Sequence, residues 1–271
     1  MSKLNEIIPL NTAAEMGQVL PGGLPQAFVE ILVNAFDSSD LEDLASVEII
    51  FEPPSLPTTI VIKNKLPQSE KMKDFRDIFM YKPNEGKGRS TDTTGKFGCG
   101  LKDAIARFHH FKLHYQFESP SGIASMANEL DADGSIFMRT SRCDDIKEDT
   151  EANQYVVQTV QWTEESDIEL SLFQSSIIEA QRSSWHWLVA NGDIKVFSKP
   201  SSKGQIGVWT NRDEKDNMIF IHGKKYTLDI ANPFWAYNLT PNKIDVLSRD
   251  RITPPTQWPD WSKNYFMISG R

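Results

Sequence analysis

Residues 26–40 read QAFVEILVNAFDSSD. At about 100° per residue this stretch has two opposed faces. Glu30, Asn34 and Asp37 stand at i, i+4 and i+7 and form one stripe. Phe28, Ile31, Leu32, Ala35 and Phe36 fall on the other side, where a core would bury them. A carboxylate and a carboxamide one turn apart match the needs of a magnesium–phosphate site. The carboxylate can take a proton from water, and the amide oxygen is a hard ligand for a hard cation. Taken alone, the same stripe reads first as an ordinary solvated helix face and only second as a site.

A second stretch, residues 94–106, reads TGKFGCGLKDAIA. Gly95, Gly98 and Gly100, with Phe97 among them, make a glycine-rich turn that runs into an apolar helical pattern at Leu101, Ala104, Ile105 and Phe108. Glycines let backbone approach an anion closely, and the first free N–H groups of a helix point at it. Lys96 and Lys102 add positive charge. The turn is not a P-loop, since no Lys-Ser/Thr follows the last glycine at the required spacing. Nor is it the Gly-x-Gly-x-x-Gly dinucleotide turn.

In this order and separation, the two stretches resemble the Bergerat-type (GHKL) ATP-binding fold. That superfamily includes the Hsp90 chaperones, MutL repair proteins, type II topoisomerases, MORC ATPases and sensor histidine kinases. Its motif Glu-x-x-x-Asn-x-x-Asp/Ala is met by Glu30, Asn34 and Asp37, and its glycine motif by Gly95, Phe97, Gly98 and Gly100. The resemblance covers roughly residues 20–110. It implies an α/β sandwich with helices on one face of a mixed sheet. It also implies ATP and Mg²⁺ as ligands, with Glu30 as catalytic base and Asn34 as the magnesium ligand. Asp37, Leu101 and the glycine turn, with Lys96 and Lys102, would surround the nucleotide.

The superfamily places Asp-x-Gly-x-Gly after its next strand pair, where the Asp reads adenine. Here the sequence is Lys63-Asn64-Lys65-Leu66-Pro67-Gln68. Asn64 stands in the Asp position by alternation from Ile60 and Ile62, and both glycines are missing. An Asn carbonyl can accept from an adenine amino group, without charge assistance.

Around these motifs, the 271 residues allow one large domain or two modest ones. Hydrophobic content of 39% and charged content of 24% fit a globular chain. A net charge of −8 argues against a general nucleic-acid-coating role. Two distant cysteines, Cys99 and Cys143, make a disulfide framework an unattractive reading and point to a reducing, intracellular compartment. No run reaches membrane-spanning length and the N-terminus lacks a signal-peptide pattern, so no membrane partner is expected.

In chain order, residues 1–23 read as an arm or loop broken at Pro21-Gly22-Gly23. Strands are expected over 46–51 and 58–62 and a helix over 72–80; residues 81–94 read as a polar loop, which the resemblance implies is a lid over the nucleotide and which is otherwise an ordinary surface loop. Further strands are expected over 111–117, 122–130, 135–140 and 155–162, with a turn at Asp133-Gly134. His109, His110 and His114 lack ligand-spaced partners and read as satisfied or surface residues. A helical pattern over 168–190 carries Trp185 and Trp187 as core or interface anchors. A β-rich segment follows. The expected division is 1–182 as the ATP-binding domain and 183–271 as a β-rich extension or small second domain.

Arg249 and Arg251, in Ser248-Arg249-Asp250-Arg251, are candidates for a basic residue that reaches the γ-phosphate; a structural salt-bridge cluster is the alternative. The function implied is slow Mg-dependent ATP hydrolysis driving a conformational change, with a homodimer formed on ATP binding and a client protein or nucleic acid left open. The rival readings are a pseudo-ATPase interaction module, favoured by Lys63-Asn64-Lys65 and Pro67, and histidine-kinase phosphotransfer. The kinase reading is disfavoured because no phosphoacceptor-histidine helix precedes Glu30.

Overall fold

A computed structural model describes residues 5–13, 15–19, 22–37, 47–65, 75–79, 100–120, 122–142, 155–197, 205–210, 218–221, 223–227, 235–239, 246–248 and 251–252. These divide into two compact units, the first running to Gln181 and the second starting at Arg182 within the final helix turn. The expected lid at 81–94 and both cysteines lie outside the described residues.

The first unit opens with strand β1 (Asn5–Ala13) and the short helix α1 (Met16–Val19). Helix α2 (Gly23–Asp37) carries the Glu/Asn stripe. Strands β2 (Val47–Glu52) and β3 (Thr59–Lys65) form an antiparallel pair. Helices α3 (Phe75–Phe79) and α4 (Gly100–His110) follow. Then come β4 (His114–Ser119), β5 (Gly122–Met126), β6 (Ser135–Arg142), β7 (Tyr155–Gln161) and helix α5 (Leu170–Arg182).

The seven strands form one sheet in the order β1-β6-β5-β4-β7-β3-β2. Each neighbouring pair is antiparallel. One face carries Ile8, Leu10, Ile60, Ile62, Tyr115, Phe117, Ala124, Met138 and Val160, all buried. Those residues share a single core with α2, α3, α4 and α5. The period-2 alternation of β3 shows why: Ile60, Ile62 and Asn64 point inward while Val61, Lys63 and Lys65 do not. The result is a two-layer sandwich, helices on one face. The mixed strand directions expected of this sheet are not found among its described strands, whose neighbouring pairs all run antiparallel.

One expectation is corrected here. Residues 5–13 are not an arm or loop but the edge strand β1, paired antiparallel with β6 from Asn5↔Ser141 to Pro9↔Phe137. Ile8 and Leu10 face the core and Ile7 is 63% exposed, the alternation of a half-buried strand. Pro9 is tolerated because an edge strand has a side with no ladder to donate to.

α2 begins earlier than expected, at Gly23, after Gly22 with a left-handed φ of 84°. It is also buried more completely than two opposed faces imply. Val29 and Val33 are buried along with Phe28, Ile31, Leu32 and Phe36. Each such side chain contributes roughly 1.5–3 kcal/mol relative to exposure. α2 packs on α4 as well as on β3, so the helix is covered on both sides. α4 in turn packs on α1, α2, β1 and β4.

The single helix expected over 168–190 is two. Ser184 caps α6 (Trp185–Ala190) by accepting from the Trp187 backbone N–H at 3.4 Å. In the second unit, β8 (Ile194–Val196), β9 (Gln205–Trp209), β10 (Met218–Ile221), β11 (Lys224–Thr227) and β12 (Trp235–Leu239) form a sheet in the order β11-β10-β12-β9-β8. β10 and β12 are its parallel pair. Trp185 is the anchor expected of it: 1% exposed, 5.4 Å from the Phe220 ring, its Nε1–H donating to Gln205. Trp187 is half-buried. β13 (Val246–Ser248) and β14 (Arg251–Ile252) pair with each other.

Candidate functional site

The site is built where α2, α4 and β3 converge on the helix-covered face of the first sheet. Glu30 sits at the middle of α2, half-buried. Its Oε1 accepts from the Gln26 Nε2 one turn earlier, at 2.9 Å. Its other oxygen lies against the first residue of α4: a Cβ built on Gly100 would collide with Oε2 and stand 3.0 Å from Cδ. Only hydrogen at that position leaves room for the carboxylate. The stripe of α2 therefore faces the start of α4 rather than bulk water, and the solvated-face reading of Glu30 does not hold.

Asn34, one turn further, is half-buried, and its Nδ2 is shielded from water with no hydrogen-bond partner among the described residues. Asn64 is 1% exposed, and both Oδ1 and Nδ2 are shielded and without a partner among the described residues. A buried donor or acceptor left unpaired costs about 1–3 kcal/mol, so such groups ask for an explanation. A ligand that supplies the missing partners is one. Asn64 lies opposite Val47 on β2 and Val156 on β7, both apolar. Further along the same face, Tyr115 donates to Gln158 at 3.0 Å, and burial pushes the Tyr115 hydroxyl pKa up.

The remaining sequence-derived residues are placed as follows. Gly100 and Leu101 open α4, and Leu101 is half-buried against the core. Lys102 is 6% exposed, inside α4 with the buried Asp103 and Arg107. Buried charges persist only when paired. Asp37 ends α2, and its side chain is outside the described set. Gly95, Lys96, Phe97, Gly98 and Arg249 lie outside the described residues, while Arg251 lies on β14 with its side chain outside them. His109 is half-buried, 3.2 Å from the Asn128 carbonyl, and desolvation lowers its pKa. His110 and His114 are exposed. Among the described residues no group of three or more His, Cys, Asp or Glu is placed to hold a metal. No helix among them is long and apolar enough to cross a membrane.

Sequence reading missed Gln26. Its signal was present, because Gln and Glu at i and i+4 meet on a helix surface. Gly22 helps to seat it, since a Cβ there would stand 2.8 Å from the Gln26 Cβ.

Sheet, strand pair and helices together form a two-layer α/β sandwich that brings together the Glu/Asn helix, the antiparallel β2–β3 pair, the buried amide on β3, and a helix that starts at a glycine against the Glu. No family model matches the chain. An uncharacterized protein of Mycoplasma pneumoniae (strain ATCC 29342 / M129) is 28% identical over 234 residues, 85% of each chain. The chain is also similar to the ATPase region of Saccharomyces cerevisiae topoisomerase II bound to ICRF-187 (dexrazoxane). The TM-score is 0.46 at 14% identity, covering 93% of this chain and 87% of that one. The ATPase and transducer domains of DNA topoisomerase II from Balamuthia mandrillaris give a TM-score of 0.44 at 15% identity, covering 91% and 82%.

Proposed function

We propose that this chain binds ATP with Mg²⁺ and hydrolyses it slowly, using the cycle to change conformation. The observation that carries the reading is the Glu30 carboxylate held against Gly100 at the start of α4. A base beside a helix N-terminus stands where a phosphate would be bound, because free N–H groups and the helix dipole both favour an anion there.

Glu30 would orient a water and take its proton, with Gln26 fixing the carboxylate. Asn34 offers a hard oxygen suited to magnesium, an ion that fills its other positions with water and phosphate oxygens. That fits a site with no carboxylate cage among the described residues. The ion would supply charge neutralisation on the phosphates. Asn64 would meet the base, Asp37 and Leu101 would line the site, and the Gly95–Gly100 backbone with Lys96 and Lys102 would cradle the phosphates. Arg249 or Arg251 would reach the γ-phosphate. The division into a nucleotide-binding domain ending near residue 182 and a β-rich second domain, an intracellular setting and a homodimer closed by ATP belong to the same proposal.

The test is titration of the purified protein with labelled ATP, with and without magnesium, and a phosphate-release assay. Glu30→Gln should lower turnover by at least about 100-fold and leave binding intact. Asn34→Ala should remove both. Wild-type binding and turnover that neither change alters would sink the assignment. A second reading, a pseudo-ATPase interaction module, is favoured by Asn64 in place of an aspartate; no binding at millimolar ATP would select it. Autophosphorylation would select the kinase.

A further inference from the structure

We propose that the base site does not discriminate adenine from guanine, because Asn64 is a buried carboxamide that no group among the described residues pins in one orientation. The proposal rests on the nucleotide-site reading above and deepens it.

Asn64 is 1% exposed, so its polar atoms are covered by protein and shut off from bulk water. Neither Oδ1 nor Nδ2 has a hydrogen-bond partner among the described residues. A carboxamide presents one acceptor beside one donor. Adenine offers the complement as its N6 amino donor beside the N1 acceptor. Guanine offers it as the O6 acceptor beside the N1–H donor, in the opposite sense. A half-turn of the amide about its last torsion exchanges Oδ1 with Nδ2 and converts one match into the other.

Selection between the purines would need a neighbour that holds one end of the amide. The strand neighbours opposite Asn64 are Val47 and Val156, which hold neither. The other buried polar side chains on this face are already engaged. Tyr115 donates to Gln158, and Thr140 donates to the Glu6 carbonyl at 3.1 Å. An aspartate at this position would present acceptors only, and the same half-turn would exchange nothing. The neutral side chain therefore gives up discrimination as well as charge.

The experiment compares the dissociation constants of ATP, GTP and purine riboside triphosphate for the full chain, by calorimetry in magnesium buffer. The last ligand has the N1 acceptor and no exocyclic group. ATP and GTP should bind within about threefold of each other, and purine riboside triphosphate about tenfold more weakly, the worth of one hydrogen bond. Asn64→Leu and Asn64→Ala should bind all three weakly and alike, and the nucleotide-free Asn64→Leu protein should melt higher than wild type. ATP bound about 30-fold or more tightly than GTP overturns the proposal and leaves the nucleotide site standing. So does equal binding of all three ligands by wild type, which would mean that Asn64 does not touch the base. Binding of none at millimolar concentration removes the nucleotide reading itself. The wild-type comparison decides whether or not either variant folds.

Discussion

Gly100→Ala tests the contact between Glu30 and α4 directly. The new Cβ would overlap Glu30 Oε2 and lie 3.0 Å from Cδ and 3.8 Å from Cγ. Ordinary contact then requires the carboxylate to retreat by about 1 Å. The obstacle is the far end of a flexible side chain, not backbone, so the fold can accommodate it. Alanine in a helix gains up to about 1 kcal/mol over glycine, less at a first residue. Losing the Gln26–Glu30 hydrogen bond costs about 0.5–1.5 kcal/mol, and an off-rotamer Glu30 a similar amount. The net change in stability is about 1 kcal/mol or less, a shift of roughly 2–4 °C in Tm. Displacing a catalytic group by about 1 Å costs about 100-fold in rate. Thermal melting and phosphate release on the same preparation should therefore separate: Tm nearly unchanged, turnover down about 100-fold. Turnover within about threefold of wild type would refute the role given to Glu30. A drop of more than about 10 °C would show that Gly100 is confined by something stiffer than a carboxylate.

Three further outcomes are expected. Gln26→Leu keeps the bulk of the side chain and removes the donor to Glu30, so turnover should fall about fivefold to tenfold with ATP affinity unchanged; unchanged single-turnover rates would mean the bond orients nothing. Gly17→Ala would drive a Cβ into the Ala106 carbonyl and to 2.7 Å from the His110 Cβ. These neighbours are α4 backbone and a stem carbon, so α1 must lift, and chemical denaturation should show a loss of about 1–3 kcal/mol. Burial pushes the His186 pKa down from 6.5 to about 4. The unfolded chain then takes the proton first, so this stability is complete above pH 6.5 and drains as pH falls from 6.5 toward 4. His186 as a whole residue is half-buried, so the loss by pH 5 is about 1–2 kcal/mol. His186→Phe should flatten the urea midpoint between pH 7.5 and 5, and an identical fall in the variant would assign it to other groups.

Local periodicity carried much of this molecule. The 3.6-residue pattern of α2, the alternation TTIVIKN in β3 and the Asp-Gly turn before β6 are short-range signals, and the chain places each near where they point. So does the spacing of Glu30 and Asn34 on one helix edge, because helix geometry alone sets it. Strand pairing and burial are decided by distant residues. Nothing within residues 5–13 names β6 as a partner, and nothing within α2 tells that α4 will cover Val29 and Val33. Lys102, read from the sequence as added positive charge at the glycine turn, is interior along with Asp103 and Arg107. That Asn64 is left without a partner is a property of what surrounds it on β2 and β7, not of its own sequence. The sequence by itself determined which residues could do chemistry. Only the packing of α4 onto α2 decided that Glu30 faces a helix start, since that contact joins residues 70 positions apart in the chain.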